Sequence, residues 1–373
     1  MNTDLNGCST RTKTMIIKLS KVIFLTNLSV RNLIALLLVG LMTGCVAAPG
    51  YKGSAKENFD GAVFTNREPM HKSITDILKL GWSLMTQSAD WPANITVTRQ
   101  EVPKARVETG ISVSYINHST VLIQAGNVNI LTDPIYAERA SPFRFAGPKR
   151  VHQPGIRLED LPPIDIILIS HNHYDHLDTD SLTRLVNQQS YAPRILTGLG
   201  NSALLDKIGL VNHRELNWND SEQFKGTKIT FTESRHRSGR GLTDQMQTLW
   251  GSFVIETTSG NVYFAGDTGY DKHFKAAKEK FGAFALSIIP IGAYEPRWFM
   301  KDVHLNPAEA VQAHLDLNSE LSLAVHFGTF QLTLEAIEQP VIDLAKALKA
   351  NHLDEQHFIT LKPGATHVVR PEN

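Results

Sequence analysis

The stretch SHNHYDHLD, residues 170 to 178, packs three histidines and two aspartates into nine residues. Imidazole nitrogens and carboxylate oxygens at that density suit a divalent cation. Extended residues two apart point to the same side, so His171 and His173 can grip one ion together. Asp175 and His176 fall where the chain turns out of a strand toward a helix, and there they can face a second ion. Asp178 or Thr179 is placed to cap that helix rather than to bind metal. A solvated polar turn is the alternative reading of the same letters.

Four ligands are too few for two ions, and the chain offers three more. ITFTESRHRSGR puts His236 just after a strand-like run. NVYFAGDTG puts Asp267 at a strand-to-turn junction flanked by glycines, and LSLAVHFGTF puts His326 at the end of an apolar run. A lone histidine at a strand end is usually just polar and hydrogen-bonded. Seven nitrogen and oxygen ligands together, with no thiolate, suit two Zn²⁺ ions, with iron or manganese as alternatives. The two cysteines, Cys8 and Cys45, are too few for a thiolate zinc site or a disulfide framework.

The surrounding pattern must hold these groups at strand ends. ISVSYI, STVLIQA and VNILTDP read as short strands, the last two joined by a Gly126–Asn127 turn. IDIILIS is a continuous apolar run, as expected of a strand buried on both faces, and the histidine motif follows it directly. SLTRLVNQQ and ALLDKIG read as helices, the second closed by Gly209. RILTG, KITFTES, TLWGSFVIET, NVYFAGD, ALSIIPIG and LSLAVHFG read as strands. NPAEAVQAHLDL reads as a helix with Asn306 as N-cap and Pro307 at its first position. EAIEQPVIDLAKALKANHL supplies a C-terminal helix. Early hairpins followed by strand–helix units argue for a mixed α/β (α+β) class, with sheets covered by helices in one domain over residues 106–370.

The chain has 373 residues, 37 basic and 37 acidic, so it lacks the basic excess of a nucleic-acid binder. Its start resembles an export signal: Lys13, Lys18, Lys21 and Arg31 precede the short apolar run LIALLLVGL, and MTGC follows. Cys45 after Thr43–Gly44 resembles a bacterial lipobox, with Met42 where Leu is more usual. Residues 1–44 then form a lipoprotein signal peptide, with Met15 as an alternative start, and acylated Cys45 anchors the mature protein to the membrane. Val46, in place of Asp, points to the outer membrane in enteric-type bacteria. An uncleaved N-terminal helix is the alternative. Residues 45–105 read as a tether and N-terminal cover around a helical stretch, ITDILKLGWSLM. Trp82 and Trp91 there either face lipid or pack on the domain, the latter being the commoner use of such aromatics.

HNHYDH, then His236, GDT and His326 in that order, resembles the metallo-β-lactamase superfamily of binuclear metallohydrolases. That implies a four-layer αβ/βα sandwich with the metals at the sheet edges. LTDPIYAERASP, SGRGL, TLWG, IPIGAYEPRWFM and HFGTF resemble, more narrowly, the branch of N-acylphosphatidylethanolamine-hydrolysing phospholipase D and its bacterial outer-membrane lipoprotein relatives. By that resemblance His171, His173 and His236 hold one zinc, Asp175, His176 and His326 the other, and Asp267 bridges them. Asp133 is implied near the site, orienting a ligand, with a turn cap before Pro134 as its alternative. His304 is implied at the pocket, on substrate or leaving group, with capping of the next helix as its alternative. His118 lies in a family block and reads equally as a buried hydrogen-bonded histidine.

Asp175 and Asp267, with His304 and Asp133, are therefore the expected catalytic groups. The activity implied is a phosphodiesterase of phospholipase D type on phospholipid head groups, with a metal-bridging hydroxide as nucleophile. RWFM, from Arg297 to Met300, serves either acyl chains or a core or edge-strand role. A lactonase or another soluble-substrate hydrolase on the same site is the first rival, and a non-catalytic metal-binding surface lipoprotein the second. The sequence departs from the family at Arg237, where Trp usually follows the histidine, at Asn117 for Gly, and at PGAT near residue 364 for PGET. These departures leave the ligands intact and bear on pocket shape and substrate.

Overall fold

A computed structural model describes residues 47–70, 72–87, 89–98 and 102–370. The leader and Cys45 lie outside the described residues. The strands are β1 (Ile111–Asn117), β2 (Thr120–Ala125), β3 (Val128–Thr132), β4 (Ile166–Ile169), β5 (Arg194–Gly198), β6 (His213–Leu216), β7 (Ser221–Phe224), β8 (Thr227–Thr232), β9 (Ser252–Thr257), β10 (Gly260–Phe264), β11 (Phe284–Pro290), β12 (Ser319–Val325), β13 (Phe358–Ile359) and β14 (Thr366–Arg370). The helices are α1 (Ile74–Thr86), α2 (Thr179–Gln188), α3 (Ser202–Lys207), α4 (His273–Phe281), α5 (Arg297–Met300), α6 (Pro307–Asp316) and α7 (Gln339–Ala350).

Two seven-stranded sheets result, ordered β14-β1-β2-β3-β4-β5-β6 and β13-β12-β11-β10-β9-β8-β7. Each combines antiparallel hairpins with parallel strands on the other side. The alternation of side chains along each strand makes the layers. On β4, Ile166 and Leu168 enter the core between the sheets, while Ile167 and Ile169 face Leu182 and Leu185 of α2 and Leu204 and Leu205 of α3. On β11, Leu286 and Ile288 enter the central core, while Ile289 packs in a third core with α4, α6 and α7. The order helix, sheet, sheet, helix is the αβ/βα sandwich that the family resemblance implies. Residues 47–70 add Phe59 and Phe64 to the central core.

Strand direction explains where chemistry can gather. β1, β3 and β4 run the same way in the first sheet, and β8, β10, β11 and β12 run the same way in the second. The groups singled out in the sequence follow the C-terminal ends of these strands, a common place for sites in open α/β sheets.

The caps are as the sequence suggests. Asp178 caps α2 through its side chain, and Asn306 closes a capping box with Glu309 at the start of α6. Strands β6, β7, β13 and β14 and helix α4 escaped the apolar pattern, and RWFM is not an edge strand but the short helix α5. β7 reads SEQF at a sheet edge and β14 reads THVVR at another, so neither is an apolar run. TLWGSFVIET is strand only from Ser252, its first four residues being used to pack against neighbouring loops.

Candidate metal centre

All seven candidate ligands converge. His171 and His173 follow β4, and His171 Nε2 lies 2.8 Å from His173 Nδ1. His236, after β8, brings its Nε2 to 3.4 Å from the same His173 nitrogen. On the other side, Asp175 Oδ2 lies 3.3 Å from both His176 Nε2 and His326 Nε2. Asp267, after β10, stands between the groups. Its Oδ2 is 3.1 Å from His176 Nε2 and from His326 Nε2, 3.7 Å from His236 Nε2 and 3.9 Å from His171 Nε2.

The loops are shaped to deliver these atoms. Gly266, at φ +60°, lets the turn before Asp267 lie on the exit of β4, where an added Cβ would meet the Ser170 side chain at 2.5 Å. His118, Asp133 and His326 have φ of +47°, +34° and +60°. Such left-handed backbone costs L-residues energy and gathers where the surroundings enforce it, often at functional sites.

Behind the converging atoms lies a set of orienting hydrogen bonds. His176 Nδ1–H donates to Asp133 Oδ2 at 2.6 Å, which leaves Nε2 to face the cluster. Ser170 donates its N–H to Asp133 Oδ1 at 2.8 Å and its hydroxyl to Oδ2 at 2.6 Å. That leaves Ser170 Oγ to accept from His171 Nδ1–H at 3.0 Å. His236 Nδ1–H donates to the Val303 carbonyl at 2.9 Å. Each bond fixes one ring nitrogen as donor and presents the other's lone pair, as metal-bound histidines require.

These residues fit a pair of divalent cations by their donor chemistry. Four nitrogens or oxygens around a tetrahedral zinc lie about 3.3 Å apart, and the separations here scatter about that value. Bare lone pairs at such distances repel, so a cation or a proton must sit between them. His176 Nε2 and Asp267 Oδ1 are buried without a hydrogen-bond partner. Burial, joined by neighbouring imidazoles, holds His171 and His173 well below the usual histidine range, so they stay neutral. Burial also lowers His326, but Asp267 and Asp175 outweigh it and raise His326 to about 9. Likewise the carboxylates raise His176 against its burial. Burial pushes Asp175 and Asp267 upward, yet His176 above all holds both carboxyls well below the usual range. The carboxylates thus demand positive charge, which protons supply on two imidazoles and which cations would supply by displacing them.

Three further groups find their places. Asp133 is no turn cap: its carboxylate is buried against Ser170 and His176. His304 does not cap α6, a task Asn306 performs, and its Nδ1 instead lies 4.0 Å from Asp267 Oδ2. His118 is buried with Nε2 3.0 Å from Asp175 Oδ2, so it belongs to the cluster's Asp175 side. Sequence reasoning missed two supports. Ser170 relays Asp133 to His171. Arg240 donates to the carbonyls of Asn172 at 3.0 Å and Leu177 at 2.8 Å, clamping the motif loop. Arg240 stands in SGRGL, and that block was the available signal.

Comparison with known proteins agrees with this geometry. The beta-lactamase superfamily domain model matches residues 128–327, more than half of the chain. N-acyl-phosphatidylethanolamine-hydrolyzing phospholipase D 1 of Caenorhabditis elegans is 38% identical over 333 residues, spanning 83% of this chain and 93% of the worm protein. Outer membrane protein RomA of Klebsiella pneumoniae is 43% identical over 95 residues, 26% of this chain and 70% of that protein. The solved isothiocyanate hydrolase from Delia radicum gut bacteria shares the fold with a TM-score of 0.55 at 19% identity, over 69% of this chain and 98% of that one. The chain belongs to the beta-lactamase superfamily and is a hydrolase of the metallo-β-lactamase fold, related to the N-acyl-phosphatidylethanolamine-hydrolysing phospholipases D.

Proposed function

We propose that the protein is a binuclear zinc phosphodiesterase of phospholipase D type that removes head groups from N-acylphosphatidylethanolamine-like phospholipids. The observation that carries the binuclear reading is Asp267, whose single Oδ2 approaches nitrogens of both histidine groups within 3.1–3.9 Å. His171, His173 and His236 would hold one ion, Asp175, His176 and His326 the other, and Asp267 would be shared. When bound, two such ions supply Lewis acidity and draw a nucleophile from water near neutral pH. The chain's own part is to hold the ligand rings in one tautomer through Asp133, Ser170 and Val303, and to place His304 for hydrogen bonding to the departing alkoxide oxygen. The phospholipid substrate is supported by the 38% identity to the worm enzyme.

Hydrolysis of N-acylphosphatidylethanolamine by the zinc-loaded protein in ¹⁸O-water tests this directly. Mass spectrometry should find N-acylethanolamine and a phosphatidate carrying one ¹⁸O, and chelation should abolish both. Diacylglycerol as product, or turnover of lactones alone, would overturn the assignment.

The reading extends to the membrane surface. A lipidated Cys45 at the outer membrane is supported by the lipobox-like MTGC and by the envelope location in RomA's name. At 100° per residue, Ile77, Leu78, Trp82 and Leu84 fall on one face of α1 roughly 160° wide, and all four are exposed. Beside this face, Leu80 packs on Phe299, Met300 and Val303, the last next in sequence to His304. Trp91, by contrast, packs on the domain and donates to the Glu335 carbonyl, so the two tryptophans part company. Of RWFM, Phe299 and Met300 are core, while Trp298 is 42% exposed beneath Lys79. Trp and Leu outward on an amphipathic helix suit a lipid interface. Replacing Leu78 and Trp82 together by Ser should cut hydrolysis of vesicle substrate about tenfold or more, a share of the ~1.5–3 kcal/mol per buried side chain. Turnover of soluble bis(p-nitrophenyl) phosphate should hold. Equal loss on both substrates would remove the lipid-facing role.

A further inference from the structure

Two-residue hairpin turns need left-handed backbone at their first loop residue, a place that glycine or asparagine fills with least strain. Between β1 and β2, where Asn117 pairs with Thr120, that place is held by His118 at φ +47°. The histidine is 1% exposed. Its ring centre lies 4.1 Å from that of His326, and it meets the Phe330 ring edge-on at 5.3 Å. A buried histidine kept on strained backbone, where a smaller residue would relax the turn, points to a task for its side chain.

The ring nitrogens indicate which task. Nε2 lies 3.0 Å from Asp175 Oδ2, and Nδ1 is buried without a partner. A neutral imidazole carries one hydrogen, which settles on the nitrogen that has an acceptor, since an orphaned buried N–H is rarer than an unused lone pair. Nε2–H therefore donates to Asp175 and keeps no lone pair for a metal ion. His326 Nδ1 is unpartnered too, but His326 Nε2 reaches both Asp175 and Asp267. Among the described residues, the carboxylate that the His118 ring meets is Asp175 alone. The backbone adds a second link. The His118 carbonyl accepts the N–H of His326 at 2.9 Å, and the His118 N–H donates to Thr329 Oγ1 at 3.0 Å. Asp175 follows β4 of the first sheet, whereas His326 and Thr329 follow β12 of the second. One residue thus holds a carboxylate from one sheet in register with an imidazole from the other.

We propose that His118 is a positioning residue for the ion position of Asp175, His176 and His326, its side chain orienting the Asp175 carboxylate and its carbonyl placing the His326 backbone. The inference rests on the two-ion reading and adds a residue that serves one position and not the other. Asp175 Oδ2 has two lone pairs. The His118 hydrogen takes one, which limits rotation of the carboxylate and leaves the other for the ion. Replacing the side chain spares the backbone links, so it tests the orientation of Asp175 alone.

The test compares the full chain with His118→Phe and His118→Gln. Competitive zinc titration gives the stepwise affinities, and thermal unfolding after chelation reports the fold. NMR of ¹⁵N-histidine-labelled protein loaded with ¹¹³Cd²⁺ shows which nitrogens touch each ion, and in the parent protein it needs no variant to fold. Loss of an outer partner typically costs about 10–100-fold in metal affinity. His118→Phe should weaken one ion by that factor and leave the other, coupled to His171, His173 and His236, as it was. In His118→Gln an amide N–H can reach Asp175 in place of Nε2–H, and most of the affinity should return. In the parent protein His118 Nε2 should keep its proton and show no cadmium coupling. Unchanged affinity for both ions, equal weakening of both, or no recovery in His118→Gln at the parental unfolding temperature overturns the inference. So does a cadmium coupling at His118, which would make it a ligand. A parent chain that takes up a single ion overturns the two-ion reading instead. His118 then keeps its role if His118→Phe weakens that ion, and loses it if not.

Discussion

Asp267→Asn is expected to leave a folded protein that holds fewer than two metal ions and turns over phosphodiesters about two to four decades more slowly. Its carboxylate lies within 3.1–3.9 Å of nitrogens of both histidine sets, so the substitution strikes both at once. Asparagine keeps the shape but removes the charge. Removing one partner from a buried charge pair costs about 3–5 kcal/mol, each 1.4 kcal/mol being tenfold in affinity. The metal-free fold should suffer less. Burial lowers His326, and Asp267 is the largest of the influences that raise it, so without that carboxylate the imidazole can shed its proton instead of remaining an unpaired charge. Metal stoichiometry by plasma mass spectrometry, thermal unfolding after chelation, and turnover of bis(p-nitrophenyl) phosphate check the three parts. Two ions retained per chain with turnover within tenfold of the parent would mean that Asp267 does not bridge.

The contrast between Asp267 and its supports marks what the sequence made legible. The seven convergent groups stand at the ends of strand runs, and the continuous apolar runs within IDIILIS and LSLAVHFG mark strands covered on both faces, because burial on two faces leaves a continuous apolar signature. β7 and β14 sit at sheet edges, with none of their residues fully buried, and their polar letters hide them. The orienting network was harder still. Ser170 and the Val303 carbonyl act through geometry created only when β3, β4 and the α5–α6 connection meet, and no spacing along the chain encodes that meeting. Trp82 and Trp91 show the same limit from another side. Both read as aromatics near a helix, yet one finds the Glu335 carbonyl and the other stays 66% exposed. Partner availability, a tertiary property, separates them.

Asp133→Asn makes the sharpest separation between two roles for one residue. Were Asp133 a turn cap, asparagine would serve as well, since the two side chains cap about equally. Its carboxylate instead accepts from Ser170 N–H, Ser170 Oγ–H and His176 Nδ1–H, three donors on two oxygens. An amide can accept at only one of those oxygens. If Oδ1 keeps the Ser170 N–H, the amide nitrogen confronts the His176 Nδ1–H and the Ser170 hydroxyl, donor against donor. His176 then relieves the clash by moving its proton to Nε2, which consumes the lone pair that faces Asp175 and Asp267. The same substitution releases the Ser170 hydroxyl and with it the acceptor for His171 Nδ1–H, so both histidine groups lose an oriented ring. Loss of such an outer partner typically costs about 10–100-fold in metal affinity, and here two rings depend on one carboxylate. Zinc titration should therefore shift by about 100-fold in Asp133→Asn, with turnover partly recovered in excess zinc. Ser170→Ala, which breaks only the arm to His171, should shift it by about tenfold. Near-equal zinc affinity in Asp133→Asn and the parent protein would return Asp133 to the role of a cap.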